Sequence, residues 1–347
     1  MKKYFSLEFL RFLSSFSVLM YHYRHFFLPA NILSNESYDN LQINLPFFNF
    51  FDFLYEYGFY GVHIFYTISG FVFAHVYLEL KDNTSFKEFS VNRFARLYPL
   101  HFATLLIVAV FQLLFLINYG DFQFDYINDI YHFFLQVFFI SSWGFEDGHS
   151  FNAPIWSVSV EIGIYLIFFL LIKFFKKYGL NFCISLTIFL IIIDKFEIYE
   201  SLFLECARLF FSGVLVFYII KYKIRSLVIF SLSLFLIIIA FLGNFKTFIF
   251  CPGLILLFLS FENLITQEKI KNIFMTLGNW TYALYLLHVP FQLILIFSLQ
   301  GYFNILNIFS DSVFFFIYFA SLFLISHLVF ILYERPLNKK IRRKFFN

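Results

Sequence analysis

The run LEFLRFLSSFSVLMYHYRHFF, Leu7 to Phe27, is apolar enough to cross a bilayer, yet it holds Arg11 and His22, with His25 near its end. An imidazole can take a proton from a hydroxyl near neutral pH, and a guanidinium can grip phosphate through paired N–H donors. Arg11 and His22 are eleven residues apart. That is three helical turns plus about 20°, so both project from one face, about 16 Å apart along the axis. Glu8, Ser15 and His25 fall close to that face. Taken singly, each has a plainer reading: Arg11 snorkels to headgroups and His22 hydrogen-bonds a neighbouring helix. Ionisable residues inside spans are costly and mark function by default, and His63, Glu161, Arg208 and His288 are the others of this kind.

The elements that must hold these groups are membrane helices. Of 347 residues, 61% are hydrophobic and 14% charged, and the mean hydropathy is +0.78, values foreign to a water-soluble domain of this length. Apolar segments of spanning length recur ten times, over residues 7–28, 58–79, 98–117, 155–175, 181–195, 202–220, 226–243, 246–261, 280–299 and 311–333. The run Tyr131 to Ile140 is too short to span and reads as interfacial or re-entrant. Alternate loops carry Lys81, Lys87, Arg93, Arg96, Lys173, Lys176, Lys177 and a basic tail, whereas the opposite loops hold Glu36, Asp39, Asp52, Asp121, Asp125 and Asp129. This positive-inside pattern predicts an all-α integral membrane protein of about ten transmembrane helices with cytoplasmic N- and C-termini. Residues 1–347 read as a single polytopic domain, with no fused extracellular domain expected. The first span is too long for a signal peptide and is taken as retained. Net charge +3 sits in loop faces and calls for no nucleic-acid partner, while Cys183, Cys206 and Cys251 are too scattered for a disulfide framework or a metal site. No metal is expected, the bilayer is the one partner that composition demands, and homo-oligomerisation stays open.

Depth then narrows the choice. His63 lies about 8 Å from the outer end of its span, Glu161 and Arg208 at similar depth, His288 near mid-membrane, and His22 reaches the same outer half from the other side. Five ionisable groups at comparable depth predict one shared polar cavity, because each is too costly against lipid alone. Lys81, Lys87, Arg93 and Arg96 form a cytoplasmic basic cluster beside Arg11, of a kind that can hold phosphate groups.

The blocks GVHIFYTISGF, FSVNRFARLYPLH, WSVSVEIGIYL, RLFFSG, LGNWTYALYLLHVP and YERP, together with the Arg and His of the first span, resemble the integral-membrane acyltransferase-3 family. They stand in family order from residue 7 to 336. The resemblance implies transfer of an acyl group, usually acetyl, from cytoplasmic acetyl-CoA to a hydroxyl of a bacterial surface glycan or its lipid-linked precursor. Such an enzyme is a multi-pass protein of the bacterial cytoplasmic (inner) membrane. It also implies essential roles for Arg11 and His22 and a basic motif at Arg93 and Arg96. The chain departs from the pattern at His63, where the second motif often has an acid. On this reading His22 is the general base, Glu161 orients it or stabilises its charged form, and Arg11, Lys87, Arg93 and Arg96 bind the acyl-CoA. His63, Arg208, His288, Trp156 and Tyr165 line the acceptor side. Plainer roles compete: Glu161 pairing structurally with Arg208, Trp156 and Trp280 anchoring at interfaces, and Ser69 with Gly70 allowing close helix approach. A polytopic transporter or flippase of a glycan-related substrate is the alternative from another class. Against it, the two halves show no correspondence and no paired broken helices.

Overall fold

A computed structural model describes residues 3–27, 45–79, 84–124, 127–196, 201–243, 245–300 and 305–346. Lys81, Glu36, Asp39 and Asp125 lie outside the described residues.

Each expected apolar segment is helical. In chain order the helices are α1 (Phe5–Tyr23), α2 (Phe48–Tyr57), α3 (Gly61–Ala74), α4 (Phe86–Tyr119), α5 (Ile130–Val137), α6 (Ile155–Lys195), α7 (Leu202–Lys221), α8 (Ser226–Leu242), α9 (Thr247–Ser260), α10 (Glu268–Leu299), α11 (Ile305–Ser310), α12 (Ser312–Val329) and α13 (Arg335–Phe346). Among the described residues seven helical stretches are long and apolar enough to cross a membrane. The 41 residues of α6 are two helices rather than one, because Gly179 sits at φ 56°, ψ −133°, a conformation a side chain would strain. Residues 155–175 and 181–195, expected as separate spans, are its two limbs.

Two helices run well beyond their apolar cores. α4 begins at Phe86 and α10 at Glu268, each about three turns before the segment that hydropathy marks. Arg93 and Arg96 are therefore helical residues three apart on one face of α4, where a loop leading into the span was expected. Single π-turns, His75–Glu79 and Phe330–Glu334, end α3 and α12.

The chain divides into two compact units. The first comprises residues 1–14, 60–89 and 160–279, and within it α3 lies along α7 while α9 packs on α8, α7 and α3. Glycine permits the closest of these approaches: a Cβ at Gly70 would overlap the Phe210 carbonyl, and one at Gly213 would overlap that of Thr67. The second comprises residues 15–59, 90–159 and 280–347. Its core is aromatic, with Tyr23 ringed by Phe26, Phe315, Tyr318 and Phe319 and its hydroxyl donating to the Phe309 carbonyl at 2.9 Å. Large apolar side chains remain exposed along the helices, among them Leu227, Phe235, Phe241 and Leu242 on α8 and Phe316, Ile317 and Leu324 on α12. Surfaces of that extent fit hydrocarbon rather than water. The protein is a multi-pass, all-α membrane protein.

The short piece before α6 is a folded element of the second unit. Asp129 caps α5, accepting from the His132 backbone N–H at 2.8 Å and from its ring Nδ1 at 2.8 Å, while His132 Nε2 accepts from the Asp147 N–H at 3.2 Å. Downstream, the Gln136 carbonyl meets His101 Nε2 at 2.8 Å, and its side chain donates to the Ser150 carbonyl. A packed turn thus occupies residues 127–154, beyond the interfacial fragment expected from residues 131–140.

Candidate active site

Along α1 and α10 the second unit forms a polar seam. Ser15 Oγ donates to the Thr281 carbonyl at 3.3 Å, and two turns further along both helices His22 Nδ1 meets His288 Nε2 at 3.1 Å. Equal steps of seven residues on each side mean that the helices run in the same direction with matched register. One turn past His288, Gln292 Nε2 donates to the His22 carbonyl at 2.9 Å. His288 and Gln292 therefore hold His22 by ring and by backbone from a single helix face. The His22 and His288 rings are inclined by 18° with centroids 4.8 Å apart. His22 Nε2 has no partner among the described residues.

α10 can bend here because Pro290 supplies no N–H to the carbonyl four residues back. That carbonyl, Leu286, accepts from Asn152 Nδ2 at 3.2 Å, and the same amide reaches Thr104 Oγ1 at 3.1 Å. Tyr285 adds a second tie, its hydroxyl donating to the Pro154 carbonyl at 2.9 Å and lying 2.7 Å from Ser157 Oγ. The segments NAPIWS and YALYLLHVP, tied at contacts 128 to 134 residues apart in sequence, are one structure. Asn152, Thr104, His288 and Gln292 are all fully buried. Polar side chains at such positions are kept because each answers a specific partner.

Around the pair stand His25, whose ring is 4.8 Å from that of His22, and Arg24, whose guanidinium lies 3.6 Å from the Tyr21 ring centre. Trp156 faces His149 with ring centres 6.4 Å apart. Trp280, read as an interfacial anchor, donates from Nε1 to His327 Nδ1 at 2.9 Å. Arg93 and Arg96 belong to this unit, both partly exposed on α4.

The first unit holds the rest. Arg11 pairs with Glu8 at 2.9 Å one turn earlier, so the cation carries its own partial counter-charge. Lys87 is exposed near the start of α4. Arg208 pairs with Asp194, which sequence reading did not single out, and its guanidinium also lies 5.7 Å from the Phe248 ring centre. His63 Nε2 meets Glu205 Oε1 at 3.2 Å. Glu161 lies with Glu205 near Cys206. The Tyr165 ring stacks on Phe73 at 4.1 Å within an aromatic core that includes Phe168 and Phe210.

Within the second unit His22 and His288 stand together with His25 beside them, and within the first His63 pairs with Glu205 and Arg208 with Asp194. The ring of His22 is held by an imidazole, that of His288, which sequence reading placed on the acceptor side. Gln292, Asn152, Thr104, Tyr285, Glu205 and Asp194 were missed as partners. Two signals were present: an amide four residues after an intramembrane histidine, and an Asn just before the Pro that opens a helix.

In the packed turn ahead of α6 the fold also shapes an ionisation. Backbone and ring N–H groups of His132 hold the Asp129 carboxyl below its ordinary value.

Chemically, the seam presents a half-buried imidazole with one nitrogen engaged and one open, a setting suited to proton transfer at a hydroxyl. Compared with known proteins, residues 4–332 match the family profile Acyl_transf_3, described as an acyltransferase domain. No curated protein and no solved structure matches the chain. A match across nearly the whole length, on a multi-pass helical body with a histidine held open at its seam, makes this chain a member of the acyltransferase-3 family and a membrane acyltransferase.

Proposed function

We propose that the protein is an O-acetyltransferase of the bacterial inner membrane that moves an acetyl group from cytoplasmic acetyl-CoA to a hydroxyl of a surface glycan or its lipid-linked precursor. The reading takes both chain termini as cytoplasmic, as the distribution of Lys and Arg favours. The observation that carries it is His22: one ring nitrogen is tied to His288 and the other is open, on the same helix as Arg11. Arg11, Lys87, Arg93 and Arg96 hold the phosphates of the donor. His22 takes the proton of the acceptor hydroxyl as the oxygen attacks the thioester carbonyl. A C–O bond forms, the C–S bond breaks, and the CoA thiolate recovers the proton from His22, so neither metal nor redox partner enters the balance.

Labelled acetyl-CoA, supplied to the full chain in lipid nanodiscs with a glycolipid extract from cells lacking the gene, tests this. Release of CoA with label on the glycan, both lost in His22→Ala, is the expected result. Label that crosses a proteoliposome membrane with no CoA formed would favour a transporter.

A further inference from the structure

A general base needs a lone pair, and a neutral imidazole has one only on its unprotonated nitrogen. We propose that His288 is the positioning residue that decides which nitrogen of His22 this is: it accepts the N–H of His22 Nδ1 and so leaves Nε2 as the basic atom facing the acceptor hydroxyl. The inference rests on the reading of His22 as the base.

Between His22 Nδ1 and His288 Nε2, 3.1 Å apart, there is room for one proton. Were it carried by His288, His22 would hold its own proton on Nε2 and have no lone pair to offer there. The far side of His288 decides between the two arrangements. Its Nδ1 is buried and makes no hydrogen bond among the described residues, and the backbone groups that act on the ring are those of Leu284 and Tyr285, one turn back on its own helix, where the carbonyls point along the helix toward it. Carbonyl oxygens repel a lone pair and attract an N–H, so the His288 proton belongs on Nδ1. Nε2 is then its lone pair, and the shared proton belongs to His22.

The mounting is rigid. His288 has no exposed surface, so water cannot compete for its ring. Its helix is tied through Leu286 to Asn152 and through Tyr285 to Pro154, and Gln292 fixes the His22 carbonyl, which limits rotation of the α1 backbone beneath the ring. Among the described residues of the second unit, the other titratable or charged groups that act on His22 are His25, Arg24 and His149, none of them an anion. During transfer the His22 imidazolium keeps its Nδ1–H bond to a neutral acceptor. His288 itself adds no negative charge that would hold the proton back when the thiolate needs it. In the familiar Ser-His-Asp arrangement a carboxylate does the orienting; here a second imidazole orients without adding charge.

The test uses the full chain in lipid nanodiscs with acetyl-CoA and the glycolipid extract. His288→Met fills the space but removes the acceptor, and should lower kcat about 100-fold with KM for acetyl-CoA unchanged; His288→Gln keeps an acceptor oxygen and should stay within about tenfold of the parent. Nitrogen NMR of 15N-histidine-labelled protein supplies a readout that packing alone would not move. The resonances lost in His22→Gln should show a Nδ1–H, Nε2-unprotonated ring in the parent and a changed tautomer mixture in His288→Met. A parent His22 protonated on Nε2, or an undiminished kcat in His288→Met, would overturn the assignment. Should His288→Met fail to accumulate, the parent spectrum alone decides. Activity that survives His22→Ala instead removes the underlying reading, whatever His288 does.

Discussion

Two histidines sit in apolar helices of similar character and are satisfied in opposite ways. His63, in the first unit, meets the carboxylate of Glu205, while Arg208 in the same unit meets that of Asp194. His22, in the second, meets another imidazole. A carboxylate stabilises a proton on its partner and resists its departure; a neutral imidazole orients the partner and leaves the proton mobile. A catalytic base must both take and return a proton in each turnover. On the proposed mechanism, that geometry separates a histidine that stays in one state from one that changes state, although both look alike in the sequence as lone polar residues in hydrophobic runs.

The largest effect that can break this contrast is on turnover. His22→Ala should lower acyl transfer by at least about 1,000-fold, whereas His63→Asn, which keeps a side chain able to bond Glu205, should cost less than about tenfold; steady-state CoA release measures both. Equal losses would erase the distinction between the two histidines. Next comes stability. Arg208→Met leaves the Asp194 carboxylate without its cation and should destabilise the protein by about 1–2 kcal/mol, less than a fully buried pair would lose because Asp194 is 38% exposed. Adding Asp194→Leu should return most of that loss, as read by thermal unfolding in nanodiscs. Asn152→Ala strips the Leu286 carbonyl of its donor and should cost about 1–3 kcal/mol, together with a lower kcat, because the helix bearing His288 loses a tie. The smallest effect concerns acid. Asp129 is held below its ordinary carboxylate value in the fold, so its contribution is present above the unfolded-state value and vanishes as pH falls through the folded one. Asp129→Asn should flatten that acid-side loss slightly, visible as a smaller drop in melting temperature on acidification.

How much of this could be read in advance follows from which interactions are local. The helices could be, since hydrophobic segments of spanning length have almost no other fate in a bilayer. The two limbs of α6 were separable because Tyr178 and Gly179 follow a basic cluster, Lys173, Lys176 and Lys177, where an apolar run stops. Helix ends were less legible. Hydropathy registers where apolar residues stop, while the hydrogen-bond ladder of α4 and α10 continues through charged residues that favour helix just as well. Spacing along one helix placed Arg11 and His22 together on a face. The partner of His22 was beyond that logic: His288 is 266 residues away, and only packing brings the two into register. Burial cost pointed to the right kind of residue without naming its mate: His288 was expected on the acceptor side, and it is the partner of the His22 ring.

The bond that Pro290 withholds has a practical consequence for anyone wishing to redirect this enzyme. Its orphaned acceptor on α10 is filled from a segment just ahead of α6, so that segment is a structural spare part with one correct fitting. A chimaera that exchanged residues 127–154 for those of a relative, in order to change what is acylated, would also exchange the side chain that completes the helix carrying His288. Keeping Asn152 and Pro154 in the graft, with Tyr285 in the recipient, separates a change of acceptor from loss of the helix that holds His22 in place.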